Sequence, residues 1–129
     1  MSLVYLDTSA IAKLFIKESE SAALKKFLGA SLVTSGISRL EVKRVIDRNP
    51  DLYLKPATRV LDNFQFVELD QLVLTIAENF RLMPYLRSLD AIHLASALLI
   101  KSEVDAFITY DKELAKAAEL MGFNVVAPA

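Results

Sequence analysis

Four acidic side chains in this sequence, Asp7, Glu41, Asp90 and Asp111, have the placement needed to share one divalent-metal site. Asp7 follows the apolar run Leu3-Val4-Tyr5-Leu6, and Asp111 comes just after Ala106-Phe107-Ile108-Thr109. Both stand at the carboxyl end of a predicted buried strand, the edge where ligands bind in open parallel sheets. Asp90 interrupts an apolar helical pattern through Ala91, Ile92, Leu94, Ala95, Leu98 and Leu99, where an unpaired charge is expensive. Glu41 lies on a helical stretch carrying Leu40, Val42, Val45 and Ile46. Carboxylates gathered together repel, and their pKa values rise unless a cation sits among them. A divalent ion removes that conflict, and metal pairs roughly 3.5–4 Å apart stabilise both the attacking and the leaving oxygen of a phosphoryl displacement. Without metal, such a cluster repels a phosphodiester; with Mg²⁺ or Mn²⁺ it attracts one.

Each acid also has an ordinary use. Asp7 and Asp111 can cap the helices that follow them. Asp90 near a helix N-terminus is electrostatically favourable, and Glu41 alone reads as a surface residue. Only their shared location on one edge of the sheet points to chemistry. Ser9 and Thr109 stand two residues from Asp7 and Asp111, so their hydroxyls can bond a carboxylate or a metal-bound water. Arg44, three residues after Glu41 on the same helix face, is the basic side chain expected to meet substrate or a nearby carboxylate. Tyr110 and Lys112 flank Asp111 and are weaker candidates for a phosphate contact. His93 lies one turn beyond Asp90; a lone histidine is more often packed than functional, and no catalytic role is assigned to it.

The elements that must carry these residues follow from periodicity and from turn residues. Strands are predicted at Leu3–Leu6, Leu32–Thr34, Phe66–Leu69, Ala106–Thr109 and Phe123–Val126. Helices are predicted at Ser9–Ile16, at Ser19–Leu28 with Gly29 as stop, and from a Ser38 cap to Pro50. Further helices span Leu52–Phe64, Gln71–Leu82 capped by Asp70 with Leu74, Ala77 and Phe80 toward the core, and Leu89–Lys101 capped by Ser88. The last helix opens at Asp111 and stops at Gly122. Apolar strands alternating with helices imply a parallel sheet covered on both faces. The expected fold is a three-layer α/β/α sandwich, Rossmann-like, with a central mainly parallel sheet. No glycine-rich first turn marks a dinucleotide site, since the chain after the first strand reads Asp7-Thr8-Ser9-Ala10.

Composition narrows the chemistry. The 129 residues, 53% hydrophobic and 24% charged, suit a single domain over 1–129 with a real core. The absence of Cys excludes a disulfide scaffold, a thiolate zinc site and a Cys nucleophile, and is compatible with a reducing cytoplasm. With one His, a metal must be held by oxygen, which favours Mg²⁺, Mn²⁺ or Ca²⁺. No apolar run is long enough to cross a bilayer and no signal-peptide pattern opens the chain, so a cytoplasmic location is expected. The formal charge of −1 gives no general support for nucleic-acid binding. Arg39, Lys43, Arg44, Arg48, Lys55 and Arg59 form a local basic excess, offset by Glu41, Asp47 and Asp51.

Four stretches together resemble a known family. "VYLDTSAIAKLF" is similar to the opening motif of PIN-domain proteins, "TSGISRLEVKRVI" to their second acidic motif, "LRSLDAIHLASAL" to the third and "FITYDKELAKAAELMGFNVV" to the fourth. In length and order the chain most resembles single-domain VapC toxins of type II toxin–antitoxin pairs. The resemblance implies a Mg²⁺- or Mn²⁺-dependent ribonuclease acting on structured RNA such as tRNA or ribosomal RNA. It implies a homodimer and a VapB-like antitoxin that covers the acidic pocket. It matches Asp7, Glu41, Asp90 and Asp111 to the metal-binding positions, with Ser9 and Thr109 beside them. The segment from Asp47 to Phe64 is matched by no motif.

Other classes fit less well. A PIN fold used only to bind RNA or protein has no need of four intact acids. A haloacid-dehalogenase phosphatase wants a second Asp two residues after the first, where Ser9 stands. A receiver domain needs a phosphoacceptor Asp ending a central strand, and Asp51 after Asn49-Pro50 does not fit.

Overall fold

Alternation along the strands decides which helices cover which face. The computed structural model describes residues 2–29 and 31–129. In chain order the elements are β1 (Leu3–Leu6), α1 (Thr8–Ala12), α2 (Ser21–Phe27), β2 (Ser31–Ser35), α3 (Ile37–Asp47), α4 (Leu54–Leu61) and β3 (Phe64–Val67). There follow α5 (Gln71–Glu78), α6 (Ser88–Leu99), a 3₁₀ turn (Lys101–Glu103), β4 (Val104–Ile108), α7 (Lys112–Leu120) and β5 (Val125–Val126). The strands form one sheet in the order β3-β2-β1-β4-β5, and every pairing is parallel. Val4, Leu6, Ala106 and Ile108 point to one face, where they pack with Ile11, Leu24, Val42, Ile46, Ala57 and Leu61 of α1 to α4. Tyr5, Val33 and Phe107 point to the other, against Leu94 and Ala97 of α6 and Leu114, Ala117 and Ala118 of α7. The result is the expected three-layer α/β/α sandwich.

This strand order locates the site. From β1 the chain runs outward through β2 to β3, then returns to add β4 and β5 on β1's other side. The carboxyl ends of β1 and β4 therefore flank the point where the strand order reverses, and a crevice opens there. Asp7 leaves β1 and Asp111 leaves the β4 end into this crevice. No helix among the described residues is long and apolar enough to cross a membrane.

Several boundaries differ from expectation, each for a local reason. The α-helix opening at Thr8 ends at Ala12; the chain continues to Ile16 in turns such as Leu14 N–H to the Ile11 carbonyl. Gly36, not Ser38, is the N-cap of α3; Ser38 is fully buried and its hydroxyl lies 2.7 Å from Thr34 Oγ1. The helical stretch expected from Leu52 to Phe64 is shorter, because Phe64 already pairs with Leu32 as the first residue of β3. The strand expected to run to Leu69 ends at Val67. The α5 helix stops at Glu78 rather than Leu82, and it buries Val73 while Leu74 stays exposed. Ser88 is the first residue of α6, with Arg87 as N-cap making no side-chain capping bond. By contrast, Asp70 and Asp111 cap their helices through bonds from Val73 N–H and Leu114 N–H. The C-terminal strand covers only Val125–Val126.

Candidate active site

Asp7 and Asp111 both cap helices at the carboxyl edge of the sheet, Asp7 buried and Asp111 partly exposed. Asp7 Oδ1 accepts from Ala10 N–H at 3.0 Å and from Ser9 Oγ at 2.7 Å. Its Oδ2 accepts from Thr109 Oγ1 at 2.6 Å. The two hydroxyls also receive backbone donors: Tyr110 N–H reaches Ser9 Oγ and Asp111 N–H reaches Thr109 Oγ1, each at 3.1 Å. Ser9 and Thr109 thus stitch the end of β1 to the end of β4 around a buried carboxylate. Burial raises the Asp7 pKa, and His93, Thr109, Ser9 and the Ala10 N–H only partly counter it.

Asp111 Oδ1 accepts from Leu114 N–H at 2.9 Å, while Oδ2 lies 3.8 Å from the Arg87 guanidinium. The Asp90 side chain, in the first turn of α6, makes no hydrogen bond or ion pair among the described residues. Its partial burial first, then the charges of Asp111 and Asp7, push its carboxyl up to about 6; Arg87 and His93 pull more weakly the other way. The charges of Asp111 and Asp7 both reach Asp90.

Glu41 joins them from α3 by a different route. Its Oε1 accepts from Thr8 Oγ1 at 2.6 Å and lies 2.8 Å from His93 Nε2. Burial works to raise its pKa, but the His93 and Thr8 contacts outweigh burial and hold it below the usual carboxylate range. Arg44 sits one turn on, where it pairs with Asp47 at 3.6 Å and lines a groove with Glu41, Arg48, Leu40 and Leu89. Arg87, on the exposed loop before α6, pairs with Asp111 and also acts on Asp90. The Tyr110 hydroxyl is turned away, donating to the Pro128 carbonyl at 2.7 Å.

Sequence reasoning missed the parts that work between acids: Thr8, Arg87 and the contacts of His93. The signals were faint. Thr8 directly follows Asp7, Arg87 precedes Asp90 by three residues, and His93 follows it by three. None of those spacings says which partner each residue meets.

The donor chemistry fits a hard divalent cation. Every candidate ligand is a carboxylate oxygen, the mutual repulsion at Asp90 is relieved by positive charge, and Asp90 has no competing partner to give up. In the present side-chain positions, no three acidic or histidine groups among the described residues converge closely enough to hold one ion. Asp7 is fixed by three donors and Asp111 by its cap, whereas the Asp90 carboxylate has no such partner among the described residues.

Comparison with known proteins identifies the family. Residues 4–120 match the family model of the PIN domain. Ribonuclease VapC46 of Mycobacterium tuberculosis is 37% identical over 131 residues, covering 99% of each chain. In fold, the chain is similar to a toxin–antitoxin complex from Klebsiella pneumoniae (TM-score 0.71, 22% identity, 100% of this chain and 98% of the other). It is likewise similar to VapC20 of Mycobacterium tuberculosis, described as a sarcin–ricin loop cleaving toxin (TM-score 0.73, 16% identity, 97% and 99%). With a parallel sheet that gathers acids at its switch point, a family model matched from residue 4 to 120 and a relative aligned almost end to end, the chain belongs to the PIN-domain family.

Proposed function

We propose that the protein is a metal-dependent endoribonuclease, the toxin of a VapBC-type pair. One observation carries this reading: the charges of Asp7 and Asp111 both reach Asp90 beside the carboxyl edge of the sheet, in a chain 37% identical to a named ribonuclease. The reaction is hydrolysis of an RNA phosphodiester. Water adds its hydroxyl to phosphorus and its proton ends on the departing 3′ oxygen, leaving a 5′-phosphate and a 3′-hydroxyl.

Asp7 and Asp90 would hold Mg²⁺ or Mn²⁺ directly, with Asp111 and Glu41 ligating directly or through water. When bound, the ion supplies an activated water and neutralises charge on the leaving oxygen. The chain's own residues do the rest. Thr109, Ser9 and the Ala10 N–H orient Asp7. Arg87, 83% exposed and beside Asp111, is available to a non-bridging phosphate oxygen. No side chain serves as a covalent nucleophile.

The partners follow from the same reading. They are an RNA substrate, a VapB-like antitoxin as in the toxin–antitoxin complex of similar fold, and a second copy of the chain. Tyr53 and Leu54, exposed at the start of α4, are available to such a homodimer. The setting is the cytoplasm, consistent with a cysteine-free chain.

The test is incubation of purified, antitoxin-free protein with total RNA in Mg²⁺, Mn²⁺ or EDTA, alongside Asp90→Asn. The expected result is discrete fragments that require metal, and a loss of at least ~100-fold in the variant. Undiminished cleavage by Asp90→Asn removes the site assignment.

A further inference from the structure

Helix α6 brings two groups to the cleft, Asp90 and, one turn later, His93. His93 is buried to 2% exposure, yet both ring nitrogens meet polar side chains from distant parts of the chain. Nδ1 lies 2.8 Å from the Tyr5 hydroxyl, and Nε2 lies 2.8 Å from Glu41 Oε1. An ionised Glu41 can only accept, so Nε2 carries a proton, and Nδ1 and the Tyr5 hydroxyl share the second hydrogen bond. Tyr5 is itself immobile: it is fully buried on β1 and its ring stacks on Phe107 at 5.0 Å. Thr8 Oγ1 supplies a second donor to the same Glu41 oxygen at 2.6 Å.

Glu41 Oε1 is thus held from two sides, while Oε2 has no hydrogen-bond partner among the described residues and the side chain is 18% exposed. We infer that His93 is a positioning residue for Glu41: anchored by Tyr5, it fixes Oε1 so that Oε2 is the oxygen presented to the cleft. A buried imidazole N–H needs an acceptor, and here the acceptor is an acid of the candidate site, brought from α3. Here one helix sets Asp90 directly and Glu41 through an imidazole, so the two acids keep their relative position. This role rests on the proposed nuclease site, because it gives Glu41 a task there.

The experiment is a set of double-mutant cycles read by cleavage kinetics, by Mn²⁺ calorimetry and by thermal melting. Tyr5→Phe removes one hydroxyl and keeps the stacked ring. His93→Leu removes both bonds, and His93→Gln keeps an N–H donor for Glu41. Each is made in the wild type and in Glu41→Ala. Expected in the wild type are kcat losses of about 3–10-fold for Tyr5→Phe and about 10–100-fold for His93→Leu, with KM within about twofold. His93→Gln recovers at least about threefold over His93→Leu, and Mn²⁺ binding weakens by a similar factor in His93→Leu and Glu41→Ala. In the Glu41→Ala background each further loss shrinks below about twofold, because the interaction partner is gone.

Equal losses in both backgrounds make His93 a structural residue only and overturn the role. So does a Glu41→Ala protein that cleaves and binds Mn²⁺ like the wild type. Should His93→Leu melt out, Tyr5→Phe and His93→Gln carry the cycle. Asp90→Asn separates the two ideas. If cleavage survives in it, the nuclease site itself is wrong and this role falls with it; if cleavage is lost while the cycles are additive, only the role of His93 falls.

Discussion

At the level of single residues, the Asp90 carboxyl, pushed up to about 6, makes metal-free stability depend on pH in an unusual direction. A free aspartate in the unfolded chain titrates near ~3.9. Between those values the folded protein holds the extra proton, so the favourable contribution of Asp90 is complete below about pH 4 and is lost as pH rises through about 6. Solvent screening of a half-buried group leaves a cost of about 1 kcal/mol at neutral pH. Metal-free Asp90→Asn should therefore melt about 3–5 °C above the wild type at pH 7.5 and within about 1 °C of it at pH 4. A variant that melts lower at pH 7.5 refutes the electrostatic origin. Arg87 and Arg44 separate at the same scale. Arg87 stands beside Asp111, whereas Arg44 is already paired with Asp47. Arg87→Ala should raise KM for RNA about 5–10-fold and lower the salt slope by about 0.7, with Arg44→Ala changing KM less than about twofold. The reverse order returns the phosphate contact to Arg44. Both arginines are visible in the sequence, but only the folded loop before α6 sets one of them against the carboxylates.

Among the elements, α3 is set by a close approach that a side chain would disturb. Gly36 opens the helix with its N–H donating to the Val67 carbonyl at 2.8 Å. A Cβ there would lie 3.3 Å from the Val67 oxygen and 3.4 Å from the Leu69 nitrogen, both backbone atoms of β3 and its exit. Gly36→Ala should push the start of α3 off the sheet, costing about 1 kcal/mol, or about 3–5 °C in Tm, and lowering cleavage by displacing Glu41. Gly29→Ala, where nothing lies within 4 Å, is the control that should leave cleavage unchanged. The misread elements share a cause with this one. Ser38 has a capping side chain, but its hydroxyl is drawn inward to Thr34, and capping passes to the residue that can lie against β3. Phe64 continues the apolar spacing of α4, but pairing with Leu32 claims it for the sheet. Where the local signal had no tertiary competitor, as at Asp70, Asp111 and β1, the reading held.

For the whole molecule, the binding of a cation and the stability of the fold are linked. Mn²⁺ at about 100 times its Kd should add about 2.7 kcal/mol, raising Tm by about 10 °C, with EDTA reversing the gain. Asp90→Asn should lose most of this increment, and an unchanged melting point in wild-type protein would falsify the acidic site as a metal site. Enough of this arrangement was legible in the sequence to place the strands and to set Asp7 and Asp111 at strand ends, because strand-end position and helix periodicity are local properties. The contacts among them were not, since Thr8 meets Glu41 across 33 residues and Tyr5 meets His93 across 88. The longest of these links also governs synthesis. Asp7 is translated early, but the Thr109 hydroxyl that fixes it arrives 102 residues later. At roughly 5–20 residues per second, Asp7 waits on the order of 5–20 s for its partner. A polypeptide elongated only as far as α6 carries three of the acids and has no β4 to align them. For an enzyme that cuts RNA, this order of assembly means that the acidic site can be completed only after β4 has been made.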